Sequence, residues 1–214
     1  MKGMDEQLLE QFVVGFVRGS HGVSGEFKFE SYSGQYEHFA DMTEVTLRNG
    51  TNGDSRKFKV ESVEIGSCDS FMKLSGIDTP EDVKKYSRWE IVVPRDKACP
   101  LDENEWYVED LKRCSLVYYP DGEKTGGKGG LENGGVVVGK ITDVMEGGSG
   151  DLLEISLAEN CDLLGDEVKY DFDKKGNKLK VRTVYVPLKE EAGFIGKVDI
   201  ENKTVQLMHL WILE

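Results

Sequence analysis

Apolar and polar positions alternate with period two through much of this chain. Gly25 to Glu30 reads GEFKFE, with Phe27 and Phe29 on one face and Glu26, Lys28 and Glu30 on the other. Such alternation predicts a half-buried strand. Before it, Gln11 to Val17 is apolar on both faces and predicts a central strand. Thr43 to Arg48, Arg56 to Ile65, Ser70 to Leu74 and Trp89 to Val93 predict four more, with Val45, Leu47, Phe58 and Val60 inward. Asn49-Gly50 and Asn52-Gly53 give the hairpin between the first two of these, because both residue types tolerate positive φ. Tyr32 to Asp41 reads as a loop with one helical turn.

Thr79-Pro80-Glu81-Asp82 predicts a helix start, running to about Ser87. The threonine can cap, proline fits the first helical position, and the acids favour the positive end of the dipole. Six or so short strands with one small helix predict a compact β-barrel. Pro94 to Glu105 is polar with two prolines and marks a domain boundary. We therefore expect an N-terminal barrel over residues 8–95, a linker over 96–105 and a second domain over 106–214.

The second part predicts strands at Cys114 to Tyr119, Val136 to Val144, Leu152 to Leu157, Val168 to Phe172, Leu179 to Val186, Gly196 to Ile200 and Thr204 to Leu207. Pro120 to Gly135 holds seven glycines and reads as a mobile loop. His209 to Leu213 is an apolar tail expected to pack back on the sheet. Strands and helices do not alternate regularly, which disfavours a doubly wound nucleotide fold. The fold class is all-β, in two units.

Composition changes the picture in three ways. Of 214 residues, 38% are hydrophobic and 31% charged, a globular and rather polar balance. No apolar run nears the roughly 20 residues of a membrane span, and MKGMDEQLLEQ lacks a signal-peptide core, so a cytoplasmic location is expected. Net charge is −13: the first hundred residues hold 13 basic and 17 acidic side chains, or −4, and the rest 14 and 23, or −9. An acidic second half suits a basic protein partner better than bare nucleic acid. Cys68, Cys99, Cys114 and Cys161 are far apart, and the three histidines are scattered. Neither pattern makes a metal site, and buried, reduced thiols are expected.

Candidate chemistry is sparse. Gly19, Gly22 and Gly25 recur every third residue, but the loop leads into a strand and lacks a P-loop lysine, so no helix dipole can hold a phosphate there. Gly19-Ser20-His21-Gly22 matches the RNA-clamping GXXG, yet strands flank it where that clamp has helices. The plainer reading is a glycine-rich connection at a barrel end. No G-x-S-x-G or selected carboxylate pair gives a catalytic constellation. Trp106-Tyr107 is sharper: adjacent aromatics cannot both enter one strand face, and such residues anchor protein interfaces.

The chain resembles the ribosome maturation factor RimM family. VVGFVRGSHGVSGEFKF is similar to its opening, through Gly15, His21, Gly22, Gly25 and Glu26, with Ser20 where proline is usual. Gly76-Ile77-Asp78-Thr79 with Glu81-Asp82 resembles the turn into its small helix. Glu105-Trp106-Tyr107 followed by Asp110-Leu111 and Cys114 is similar to its acidic-aromatic segment, with Lys112 and Arg113 replacing a usual glycine. Val138-Gly139-Lys140-Ile141, Gly150-Asp151-Leu152-Leu153, Val186-Pro187 and Val198-Asp199 complete the pattern, and Gly122 to Gly135 looks like an insertion.

The resemblance implies an N-terminal barrel like those of translation factors and reductases, then a PRC barrel. It implies an assembly factor, not an enzyme, without cofactor or metal, a monomer that binds the head of the immature small ribosomal subunit. The partner would be ribosomal protein nineteen of that subunit, with indirect or weak contact to ribosomal RNA. Trp106, Tyr107, Asp110 and Leu111 would carry that binding, and His21, Gly22 and Gly25 are candidate ribosome contacts. Two alternatives remain: a flavin-binding, reductase-like barrel, and an RNA-binding module using the glycine loop.

Overall fold

The computed structural model describes residues 8–120, 134–148, 150–189 and 192–214. The glycine-rich segment at 121–133, and with it most of the expected mobile loop, lies outside the described residues. The chain forms two compact units, Leu9–Glu103 and Asn104–Glu214 apart from the extreme N-terminus.

The first unit is a closed barrel. Its strands are β1 (Gln11–His21), β2 (Glu26–Ser31), β3 (Glu44–Arg48), β4 (Ser55–Ile65), β5 (Ser70–Leu74) and β6 (Glu90–Pro94), in spatial order β1-β2-β5-β4-β3-β6. Pairing of β1 with β6, from Gln11↔Pro94 to Phe16↔Glu90, closes it. Alternation decides the lining: Phe27 and Phe29 of β2 are 1% exposed, and Val45 and Leu47 of β3 are equally sealed.

Two expectations, the ends of the first strand and of the helix, are corrected here. The first strand does not stop at Val17. A bulge between Val17 and Gly19 lets β1 run on to His21, paired with Glu26. Gly19 is thereby a strand residue, and the loop shrinks to the turn after His21. In β4, Phe58 and Val60 take the more buried face between exposed Lys57, Lys59 and Glu61, as expected, and a bulge between Val60 and Ser62 shifts the phase so that Val63 is the next residue on that face. A bulge adds one residue to one strand only, and binary patterning does not show it. The helix α1 (Pro80–Lys84) is capped as expected, the Thr79 hydroxyl accepting from the Asp82 N–H at 3.2 Å. It ends before Ser87, and the following turn carries Arg88 at φ 64°.

The second unit is a six-stranded sheet. Its strands are β7 (Ser115–Tyr118), β8 (Val136–Gly147), β9 (Gly150–Leu157), β12 (Thr183–Pro187), β13 (Ile195–Asp199) and β14 (Thr204–Leu207). They run in the order β12-β9-β8-β7-β14-β13, beside a separate hairpin of β10 (Tyr170–Phe172) and β11 (Lys178–Val181). β14 pairs parallel with β7, from Thr204↔Ser115 to Leu207↔Tyr118. The core includes Leu116, Val138, Ile141, Leu153, Ile155 and Val186.

Two strand expectations fail in this unit. Val168 lies in the helical turn α3 (Asp166–Lys169), where the Gly165 carbonyl accepts from the Val168 and Lys169 N–H groups, each at 3.1 Å. The expected strand from Leu179 to Val186 breaks at Arg182. Its N–H donates to the Lys169 carbonyl at 2.8 Å, and its carbonyl accepts from Leu157. Tertiary hydrogen bonds of this kind override a local period. The C-terminal tail becomes a 3-10 turn at Leu210–Leu213, with Leu213 buried and Trp211 62% exposed.

No cysteine among the described residues is disulfide-bonded. Cys114 and Cys161 are buried as expected, but Cys68 is exposed and Cys99 half-buried.

Candidate partner-binding site

Glu105-Trp106-Tyr107 leads into the short helix α2 (Val108–Leu111). Tyr107 sits at the residue before the helix, at φ −67° and ψ 131°. Its carbonyl accepts from the Asp110 N–H at 3.0 Å and the Leu111 N–H at 3.1 Å. Trp106 is half-buried and packs against the core of this unit. Tyr107 is also half-buried.

Asp110 and Leu111 have a different place. They are 3% and 1% exposed. Leu111 anchors α2 in the core, and the carbonyl of Asp110 accepts from the Cys114 thiol at 3.4 Å. Burial, and then the charge of Asp110, pushes the Cys114 thiol up to about 11. The accessible part of this segment is therefore the aromatic pair together with Val108, which is 43% exposed. Sequence reasoning did not single out Val108; an apolar residue set between an aromatic pair and two acids was its signal.

Acidic side chains border this surface. Glu105 and Glu109 are exposed on either side of the pair. Glu109 accepts from Lys112 Nζ at 3.0 Å, and Asp143 of β8 lies 3.9 Å from the same ammonium. The hydrogen bond to Glu109 raises the Lys112 pKa. The pair is exposed to solvent and adds little stability, but it holds the Lys112 ammonium on carboxylates.

The glycine turn belongs to the first unit. His21 ends β1, exposed, with its ring 4.0 Å from that of Phe71 on β5. Gly22 takes φ +59°, and a Cβ there would meet the Glu26 carboxylate at 4.0 Å, an ordinary contact. Gly25 takes φ +78°, and a Cβ there would lie 2.0 Å from the Ile77 carbonyl oxygen. Gly25 is thus required where the loop before α1 crosses the start of β2, a close approach of backbones that only glycine permits. The structure brings this turn together with Ile77 and Asp78, and it leaves His21 exposed along with Val23, which is 85% exposed. Among the described residues no cluster of histidine, cysteine and carboxylates has the grouping of a metal site.

Sheet order and burial define an all-β protein of two units, the first a closed six-stranded barrel. Comparison with known proteins gives the family. The profile of the RimM N-terminal domain matches residues 12–98, and that of the RimM PRC barrel domain matches residues 127–213. A ribosome maturation factor RimM from Treponema denticola is 38% identical over 212 residues, spanning 96% of this chain and 100% of that protein. The namesake from Treponema pallidum is 30% identical, spanning 90% and 95%. The crystal structure of a putative 16S ribosomal RNA processing protein RimM from Pseudomonas aeruginosa aligns over 94% of this chain and 98% of that one, at 16% identity and a TM-score of 0.38. The chain belongs to the RimM family of ribosome maturation factors, and its second unit is a PRC barrel. No helix among the described residues is long and apolar enough to cross a membrane.

Proposed function

We propose that this protein is a non-catalytic assembly factor of the cytoplasm that binds the head of the immature small ribosomal subunit. It does so as a monomer, through ribosomal protein nineteen of that subunit, and thereby promotes maturation of the small-subunit RNA. Family membership supports the ribosomal role. The observation that carries the docking site is the Trp106-Tyr107-Val108 surface, set on a core-anchored helical turn and bordered by Glu105, Glu109 and Asp143. Large aromatic anchors supply contact area at low entropic cost, and an acidic border suits a basic ribosomal protein.

The test is direct binding of the purified partner to the wild type and to the Trp106→Ala, Tyr107→Ala double variant. A hot spot of this kind is worth about 2 kcal/mol or more, a loss of roughly thirtyfold. An unchanged affinity in the folded double variant would remove the site assignment. Unchanged circular dichroism and thermal midpoint would show that the fold survives.

A further inference from the structure

A concave surface lies on the outer wall of the first barrel, apart from the glycine turn. It is a cavity of about 380 Å³ lined by Phe16, Arg18 and Arg88. That is the lower end of the range for small-ligand sites. Phe16 points outward from β1 and is half-buried, while its inward neighbour Val17 is sealed. Tyr32, 61% exposed, lies beside it with ring centroids 5.6 Å apart and a 39° tilt. Two aromatic faces are thus presented to solvent beside two guanidinium groups.

Arg88 is the unusual member. It adopts φ 64°, the left-handed position that closes many helices and is normally given to glycine or asparagine. Its N–H donates to the Val17 carbonyl at 2.9 Å, and the Val17 N–H donates to the Trp89 carbonyl at 2.9 Å. These bonds clamp the strained residue to β1 next to Phe16. Arg88 is exposed and makes no ion pair with any described residue. A left-handed backbone position given to an exposed arginine with no ion pair among the described residues points to use of that cation.

The other charges narrow the ligand. Arg18 pairs with Glu30 at 3.2 Å and lies 6.0 Å from the Phe16 ring centroid, and Arg48 pairs with Glu90 at 2.8 Å. Cations, carboxylates and aromatic faces occur together. An acidic peptide brings carboxylates that Glu30 and Glu90 would repel, and no flat ring to match the aromatic faces. A nucleotide offers a phosphate for Arg88, amino donors for the carboxylates and a flat base for the rings.

We propose that the Phe16, Tyr32, Arg18 and Arg88 notch binds an unpaired nucleotide within single-stranded RNA, the base against the aromatic rings and the phosphate on Arg88. Stacking and one phosphate contact need no basic patch, which accommodates a chain of net charge −13.

The experiment is fluorescence anisotropy of the full-length protein with a fluorescein-labelled, mixed-sequence RNA octamer, single-stranded or annealed to its complement, with AMP as competitor. The single strand should bind and the duplex bind about tenfold or more weakly. Tyr32→Ala and Arg88→Gly should each weaken binding about tenfold. Arg88→Gly should meanwhile keep or raise the thermal midpoint, because glycine suits the left-handed position; a purely structural arginine would give the same midpoint with full affinity. The Trp106→Ala variant should bind the octamer normally, which separates this site from the proposed protein-docking surface. Absence of single-strand binding, equal binding of the duplex, or full affinity in Arg88→Gly would overturn the proposal. So would competition by AMP as effective as by unlabelled octamer, which would mark a free-nucleotide site.

Discussion

At the residue scale, His38 is the clearest case of a group the fold holds at a cost. Both ring nitrogens are buried without a hydrogen-bond partner, and the ring lies 4.2 Å from that of Phe39. Burial lowers its pKa below 6.5, opposed by the charge of Glu37. In the unfolded chain His38 therefore takes up a proton first as pH falls. Stability is complete above 6.5 and declines as pH drops toward the folded value. Replacing His38 by Gln should flatten that decline, as read from urea midpoints between about pH 7.5 and about pH 5. The thiols make a second prediction. Cys68 is exposed, whereas Cys114 is sealed in the core with its pKa at about 11. A thiol reagent at neutral pH should modify Cys68 in the native protein and reach Cys114 only on unfolding. Arg88 shows why part of a site stays hidden in a sequence. Left-handed geometry follows from where α1 ends against β1, and nothing in the letters Ser87-Arg88-Trp89 announces it.

At the element scale, α1 was legible because its start is encoded locally. Thr79, Pro80 and Asp82 satisfy capping rules within four residues. Lys85, and then Thr79, donate hydrogen bonds to Asp82 and hold its carboxyl down at about 2. The stability this adds is present above the unfolded value of 3.8 and lost as pH falls through about 2. Thr79→Ala should cost about 1 kcal/mol in chemical denaturation. The loss should appear in the unfolding of the first barrel, because α1 packs on β1 and β2. Short alternating strands were legible for the same local reason: β2, β3 and β5 fall within one or two residues of expectation. The bulges of β1 and β4, the break at Arg182 and the parallel β7–β14 pair were not. Each depends on a partner far away in sequence, and a strand does not state whether its neighbour runs with it or against it. In the candidate docking segment the same division holds. The aromatic pair could be read directly, but the burial of Asp110 and Leu111 came from α2 seating in a core assembled from the later strands.

At the scale of the whole molecule, charge and contact act on different steps of association. The chain carries −13, of which −9 lies in residues 101–214, the half of the sequence that holds the proposed docking segment. A field of that sign accelerates encounter with a basic partner over distances comparable to the screening length, about 10 Å in 0.1 M salt. The aromatic pair, by contrast, acts only once the surfaces touch. Raising salt from about 50 mM to about 500 mM should therefore slow association with the ribosomal partner about tenfold while leaving dissociation nearly unchanged. The Trp106→Ala, Tyr107→Ala variant should show the reverse, faster dissociation with an almost unaltered association rate and the same salt dependence. Stopped-flow measurement of both rates distinguishes the two contributions. If the double variant slowed association and left dissociation alone, the aromatic pair would not be a contact surface, and the acidity of the PRC barrel would have to carry recognition by itself.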